Sequence, residues 1–259
     1  MTRTDLDNTE PTARAGGRRP RSHEAPRPWW GRPWVAPLAI AVVLSLGFIL
    51  PPYLGLNPAQ ATVPIPEEFP FKYPVLVLHI ATGSIAMVTC CLQVWPWLRE
   101  NHPAVHRISG RLYVFAGVLP SVVLAWYLLT TFSGLGWVGR TVLSLLWFAT
   151  TVVGFVRARQ GRYAEHRRMM IYSFALTMEA FTTRVLFVGL MFALGIPLGE
   201  NPEESAAFTL EAGETLAWCG WMINLVLATW WLNRDHRPTR SRGARRAGKG
   251  GAPVKEPIG

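Results

Sequence analysis

Apolar runs long enough to form membrane-crossing helices follow one another along most of this chain, separated by short polar segments. A helix that crosses the hydrocarbon core of a bilayer needs roughly 20 mostly apolar residues. Six runs approach this length: 34–53, 73–98, 107–131, 137–157, 168–196 and 213–232. The pattern therefore predicts an all-α fold, a polytopic membrane helical bundle with six transmembrane helices.

The two ends of the chain are polar and lack this pattern. Residues 1–33 and 233–259 are rich in arginine, proline and glycine and show no apolar periodicity. Such a composition cannot bury enough apolar surface to offset the entropy lost on folding. We therefore expect a transmembrane domain at 34–232 between two disordered basic tails. The small-residue sequence PAQA at 58–61 leaves open a second interpretation, in which the first run is cleaved as a signal peptide.

Small and polar residues recur at helical spacing along the second to fifth spans. Between membrane helices, such residues mark the faces that contact another helix. At 100° per residue they line up in four stripes: His79, Gly83, Ala86, Cys90 and Gln93; His106, Gly110, Tyr113, Gly117 and Pro120; Arg140, Ser144, Trp147, Thr151 and Gly154; and His166, Ser173, Thr177, Ala180 and Arg184. We therefore predict a four-helix core of spans two to five, with spans one and six packed outside it.

Composition agrees with a membrane protein and argues against nucleic-acid binding. Hydrophobic residues make up 50% of the chain and charged residues only 16%, against about 25% in an ordinary soluble domain. The net charge of +10 does not form a basic face on a soluble domain, because the basic residues stand between apolar runs. We expect the lipid bilayer, and no nucleic acid, as a partner.

The basic residues also predict the orientation in the membrane. Cytoplasmic loops of membrane proteins carry an excess of lysine and arginine. With the N-terminus inside, every basic residue except Lys72, Arg140 and Arg184 lies in a tail or at a span end on the cytoplasmic side. We therefore expect a multi-pass protein of the inner (plasma) membrane with both termini in the cytoplasm.

Two histidine-arginine pairs stand at the cytoplasmic ends of the third and fifth spans: His106 with Arg107, and His166 with Arg167. Two imidazoles from parallel helices can be the axial ligands of one b-type haem, with arginines pairing the haem propionates. On this interpretation His106 and His166 are metal ligands, and Arg107 and Arg167 complete the cofactor site. On the other, both pairs are interfacial residues that hold lipid headgroups. The sequence leaves both open.

Ionisable residues inside the spans mark a second candidate site. An ionisable side chain at such depth is costly and points to function. The residues concerned are His79, Arg140, Glu179 and Arg184. They predict a binding pocket for an anionic or quinone-like small molecule, or a proton relay. The structural alternative is a buried hydrogen-bond network that locks the helices together.

The motifs around these residues resemble a known family. The segments HIATGSIAMVTCCLQ (79–93), HRISGRLY (106–113) and HRRMMIYSFAL (166–176), followed by Arg184, resemble a bacterial family of uncharacterised predicted multi-pass membrane proteins, a domain of unknown function. The resemblance covers roughly residues 73–196 and implies a membrane location without an established reaction.

A more distant, architectural similarity is to the transmembrane cytochromes b, which hold haem between histidines of a four-helix core. The two-haem members need two histidine pairs, one at each face of the membrane. Here His106 and His166 make one pair, whereas His79 has no partner because span four offers Arg140 and no histidine. The resemblance therefore implies at most one haem.

Motifs of common catalytic classes are absent from the chain. There is no HExxH helix, Walker loop, dinucleotide glycine fingerprint or GxSxG elbow. The leading hypothesis is a cofactor-binding, redox-linked membrane protein with a single b-type haem. The alternative is a non-enzymatic membrane module that binds a small or lipid-like molecule, as a sensor, transporter or assembly factor.

Overall fold

The computed structural model describes residues 34–63, 65–131, 135–194 and 202–234. Within these ranges every regular element is a helix. The predicted disordered tails lie outside the described residues, apart from the first two positions of the second tail. The all-α membrane fold predicted from the apolar runs is confirmed.

Six long helices form the described part of the chain. They are α1 (Val35–Ile49), α2 (Lys72–Val94), α3 (Pro103–Leu129), α4 (Leu135–Arg159), α5 (Tyr163–Leu194) and α6 (Pro202–Asn233). Among the described residues, α2 to α5 are long and apolar enough to cross a membrane, whereas α1 is a shorter apolar helix of 15 residues. Four crossing helices are therefore supported, and the count of six stays a prediction.

Short helical turns connect the long helices. Pro51–Leu54 and the 3₁₀ turn Pro58–Gln60 follow α1, and Pro96–Asn101 links α2 to α3. Proline at the first position of Pro96–Asn101 and of α3 explains two of these boundaries. Its missing N–H needs no partner there, and it disfavours helical backbone in the residue before it.

The four crossing helices form a ring. Contacts join α2 to α3, α3 to α4, α4 to α5, and α5 back to α2, so α3 and α5 stand at opposite corners. Helix α1 packs on α2 and on the second half of α5, while α6 packs on α4 and α5. This agrees with the predicted four-helix core carrying the first and last helices on its outside.

Two of the crossing helices are interrupted, which the apolar pattern did not predict. In α3, Leu112–Val118 is a π-helical segment just before Pro120. Proline has no N–H to continue the ladder and its ring crowds the preceding turn, so a wider turn relieves both defects. In α5 the helix breaks at Met178, between Tyr163–Thr177 and Glu179–Leu194.

A side chain from α6 compensates for the break in α5. Asn224 Nδ2 donates to the Ala175 carbonyl at 3.0 Å, and Thr182 Oγ1 donates to Asn224 Oδ1 at 3.0 Å. A backbone carbonyl freed inside a membrane protein must find such a partner, because lipid offers none. The hydrogen bonds of Asn224 in α6 therefore stabilise the break in α5.

Candidate functional site

Helices α2 and α3 approach each other closely enough for backbone contact. A methyl group added at Gly117 would lie 2.9 Å from both Cα and Cβ of Ala86. Small residues facing each other in this way let membrane helices pack at short range. Both belong to the predicted stripes, and their contact fixes the position of α3 against α2.

Gln93 forms hydrogen bonds across the same interface, near the end of α2 and the start of α3. Its Nε2 donates to the His106 carbonyl at 2.8 Å and to Ser109 Oγ at 2.6 Å. Gly110 leaves room for this amide, since a Cβ there would lie 3.1 Å from Gln93 Oε1. The first turns of α3, which carry His106, are therefore fastened to α2.

A buried cluster of hydroxyl groups links α3, α4 and α5 at the centre of the core. The Tyr113 hydroxyl lies 2.6 Å from Ser173 Oγ and 2.8 Å from Thr177 Oγ1. Trp147 Nε1 donates to Thr177 Oγ1 at 3.0 Å, and Thr151 Oγ1 lies 2.7 Å from Ser173 Oγ. Tyr113 is only 1% exposed. We call these five residues the central hydroxyl cluster.

Sequence reasoning put all five residues on inward-facing stripes but did not single them out as a joint site. The signal that could have found them is their position at the middle of three stripes, where polar groups must pair with each other. The cluster also fixes the register of α3 against α5, since Tyr113 and Ser173 meet across the core.

His106 and His166 lie at matching positions relative to this cluster. His106 precedes Tyr113 by seven residues and His166 precedes Ser173 by seven residues. Seven residues are two helical turns, so each histidine lies on the same helical face as its partner and about 10 Å nearer the end of the bundle where α3 and α5 begin. His166 also lies close enough to His106 for their charges to interact. The structure therefore brings the two predicted ligands into one neighbourhood.

The turn between α4 and α5 positions His166. Gly161 adopts φ +74°, a left-handed conformation that favours glycine, and ends α4. Glu165 forms ion pairs with Arg162 and with Arg157, the latter at 3.1 Å. His166 Nδ1 lies 2.8 Å from the Gly154 carbonyl. Because a carbonyl only accepts, Nδ1 is the donor of this hydrogen bond, and Nε2 is the ring nitrogen that remains for another partner.

His106 has a different environment. It is half-buried, and its Nδ1 is buried without a hydrogen-bond partner among the described residues. Arg99 and Arg107 lie within electrostatic range of the ring. Arg107 and Arg167, the arginines predicted to complete the site, are both exposed beside their histidines.

His79 lies in a separate place from the other members of the predicted pocket. Its Nδ1 donates to the Ser121 carbonyl at 2.9 Å and lies 3.2 Å from Ser121 Oγ, at the α2–α3 interface. No hydrogen bond or ion pair joins His79 to Arg184 in the described part of the chain. The predicted four-residue pocket therefore divides into two regions.

Glu179, Arg184 and Arg140 form the second region. Glu179 lies within electrostatic range of both arginines. Its Oε1 accepts a hydrogen bond from Thr183 Oγ1 at 2.7 Å, and Arg140 Nη2 donates to the Gly213 carbonyl of α6 at 3.4 Å. Glu179 of α5 and Arg140 of α4 thus lie beside α6. The Arg184 guanidinium is within electrostatic range of Glu179 but lies toward Phe48 of α1.

No group of three or more histidine, cysteine or acidic side chains is positioned to hold a metal ion within the described ranges. A haem iron with two axial histidines does not need such a group, because the porphyrin supplies the other four nitrogens.

Comparison with known proteins places the chain in a family. No curated protein and no solved structure matches it. A family model described as "predicted membrane protein (DUF2306)" matches residues 76–232, from early in α2 to the end of α6. The match covers more than half of the chain and confirms the resemblance to an uncharacterised multi-pass family, while no match supports the more distant likeness to cytochromes b. The protein is thus an integral membrane protein that belongs to the DUF2306 family.

Proposed function

We propose that this membrane protein is a redox-linked component that holds one b-type haem between His106 and His166. The observation that carries the proposal is the shared register of the two histidines. The Tyr113–Ser173 contact aligns α3 with α5, and two turns from it each helix presents an imidazole toward the same level. A pair of ligands from opposite corners of a four-helix core suits an iron that lies between them.

The state of the His166 ring supports the same proposal. The His166 ring is oriented by its Nδ1–H bond to the Gly154 carbonyl, and metal-ligating histidines typically make such a hydrogen bond with the ring nitrogen that does not bind the metal. The Nδ1 atom of His106 is buried and has no such partner among the described residues. A haem bound by both rings would supply one-electron transfer.

The remaining residues of this region would orient the group and balance its charge. Arg107 and Arg167 are exposed at the same end of the bundle, where they can pair with propionates. Gln93 holds the backbone of His106, and Gly154 lets α5 approach α4, since a Cβ there would lie 2.7 Å from Met170 Sδ. These contacts keep both imidazoles in place on rigid helices.

A set of histidine variants tests the proposal. We expect His106→Ala and His166→Ala each to abolish the same Soret and reduced α and β bands in protein purified from cells supplied with a haem precursor. His102→Ala is the matched control, because His102 is exposed at the same end of the bundle and stacks edge-on to Trp97 at 4.8 Å. Retention of the bands in either core variant would contradict the proposal.

A second candidate function, a non-enzymatic module that binds a lipid-like molecule, is favoured by one observation. Arg184 is largely buried and its Nε has no hydrogen-bond partner among the described residues. A buried guanidinium with an unpaired donor is suited to bind an anionic group of a ligand. This site is separate from His106 and His166.

The same proposal includes the location and orientation of the protein. We propose that it resides in the bacterial inner membrane with both termini in the cytoplasm. The supporting observation is the arginine-rich end of the bundle, where α2 and α4 end and α3 and α5 begin. Its exposed arginines are Arg99, Arg107, Arg111, Arg159, Arg162, Arg167 and Arg168. Such an excess marks the cytoplasmic side.

A further inference from the structure

Arg184 is a cation in the outer half of α5 whose hydrogen-bonding capacity is mostly unused. A guanidinium carries five N–H donors. Nη1 donates to the Ala180 carbonyl of its own helix at 2.5 Å, and Nε is buried with no partner among the described residues. A permanently charged group with unfilled donors is costly at membrane depth. Its donors therefore need an acceptor from outside the described chain.

The nearest carboxylate does not fill this role. Glu179 lies within electrostatic range of Arg184, but Thr183 holds its carboxylate by a hydrogen bond. The Glu179 side chain lies on the side of α6, because a Cβ at Gly220 would be 3.5 Å from its Cγ. No ion pair joins Glu179 and Arg184 in the part of the chain that the structure describes.

The guanidinium lies on the other side, toward α1 and the lipid. Its Cζ is 6.0 Å from the centroid of the Phe48 ring, and Phe48 is 65% exposed. Val185 and Val188, the neighbours of Arg184 on α5, are exposed as well. Exposed apolar side chains therefore flank Arg184, with Tyr53 also within electrostatic range, so a membrane-soluble molecule has a lateral path to it between α1 and α5.

We propose that Arg184 binds the anionic oxygen headgroup of an amphiphile, a carboxylate or a phosphate, that enters from the bilayer between α1 and α5. The planar guanidinium fork matches two oxygens of either group and balances its own charge in doing so. A neutral quinone carbonyl accepts a hydrogen bond but leaves that charge uncompensated. Arg184 is also 18 residues from His166, about 27 Å along α5, so this site does not depend on haem.

Thermal unfolding of the full chain in mild detergent tests the proposal with matched ligands. Oleate and phosphatidate supply the two anionic headgroups, oleyl alcohol supplies the same acyl chain without charge, and decylubiquinone supplies a neutral carbonyl headgroup. We expect oleate or phosphatidate, at saturating concentration, to raise Tm by about 3–6 °C. Oleyl alcohol and decylubiquinone should leave Tm unchanged. The more effective anion identifies the source as a fatty acid or a phospholipid.

Three variants complete the test. Arg184→Gln should abolish the rise in Tm, while Arg159→Gln, which removes an exposed arginine at the opposite end of the bundle, should keep it. Arg184→Lys retains the charge without the fork and should reduce the rise. If Arg184→Gln does not fold, the comparison of oleate with oleyl alcohol in the unaltered chain decides. Equal shifts from charged and neutral ligands, no shift from either anion, or a full shift in Arg184→Gln would each overturn the proposal.

Discussion

At the scale of single residues, Tyr113 is the point where three helices of the core meet. Its hydroxyl contacts Ser173 and Thr177 of α5 and lies 3.4 Å from Trp147 Nε1 of α4. Tyr113, Ser173 and Thr177 are buried, so their hydroxyl groups depend on one another for hydrogen bonds. Removal of the Tyr113 hydroxyl would therefore take a hydrogen-bond partner from several buried groups at once.

We therefore expect Tyr113→Phe to lower the free energy of unfolding by about 1–3 kcal/mol, the penalty for buried polar groups left unsatisfied. Thermal unfolding in detergent, followed by circular dichroism, measures the change. Tyr127→Phe is the control, because the Tyr127 hydroxyl makes no hydrogen bond within the described ranges. An equal loss of stability in both variants would argue that the hydroxyl cluster is not a stabilising network.

The histidines show what a single sequence predicts of a site at this scale. The pairing of His106 with His166 follows from periodicity, because both rings lie on stripes whose register the polar residues fix. The pairing of His79 with Arg184 does not hold as a contact. Projection on a helical wheel gives the face of each helix, but it does not say which neighbour that face meets. His79 turns to α3 and Arg184 turns to α1.

At the scale of helices, small residues determine how closely α2 and α3 approach. The Gly117–Ala86 contact leaves no room for a methyl group, and it lies between the hydroxyl cluster and Ser121. A larger side chain at Gly117 would push α3 away from α2 along the interface that contains His79 and Gln93.

Gly117→Ala should destabilise the protein by about 1–3 kcal/mol, the usual penalty for overpacking a tight interface. Gly189→Ala, in the second half of α5, is the matched control, because a Cβ there meets nothing within 4 Å. There, alanine should be neutral or stabilising, since it is the better helix former. Thermal unfolding of the two variants side by side measures the difference, and a tolerant Gly117→Ala would refute the close approach.

The helical interruptions mark the limit of prediction from sequence at this scale. Apolar length and small-residue spacing are local properties, and they predicted the crossing helices and their inward faces. The break at Met178 depends on Asn224, a residue of α6 that meets α5 only in the folded bundle. The π-segment of α3 carries a local signal in Pro120, but its extent depends on the packing of Gly117 and Tyr113.

At the scale of the whole molecule, the arrangement of charge predicts how the bundle sits in the membrane. The turn between α4 and α5 belongs to the arginine-rich end. The other end of α5 leads into a segment that carries Glu200 and no arginine, and Glu203 and Glu204 follow at the start of α6.

Phosphatase fusions test this orientation, because alkaline phosphatase becomes active only after export. A fusion after Leu198 should be active, and a fusion after Gly161, in the turn between α4 and α5, should be inactive at equal expression. The reverse pattern would invert the topology and place His106 and His166 at the outer face.

The whole bundle also places His106 and His166 near the same end of the molecule, and this is the basis of the proposed haem site. The most direct measurement is the amount of haem per chain, from a pyridine haemochrome assay on protein purified in mild detergent after expression with a haem precursor. One haem per chain is the predicted result, because His106 and His166 form one pair and His79 hydrogen-bonds to Ser121. A well-folded preparation with no haem, or with two, would contradict the single bis-histidine site.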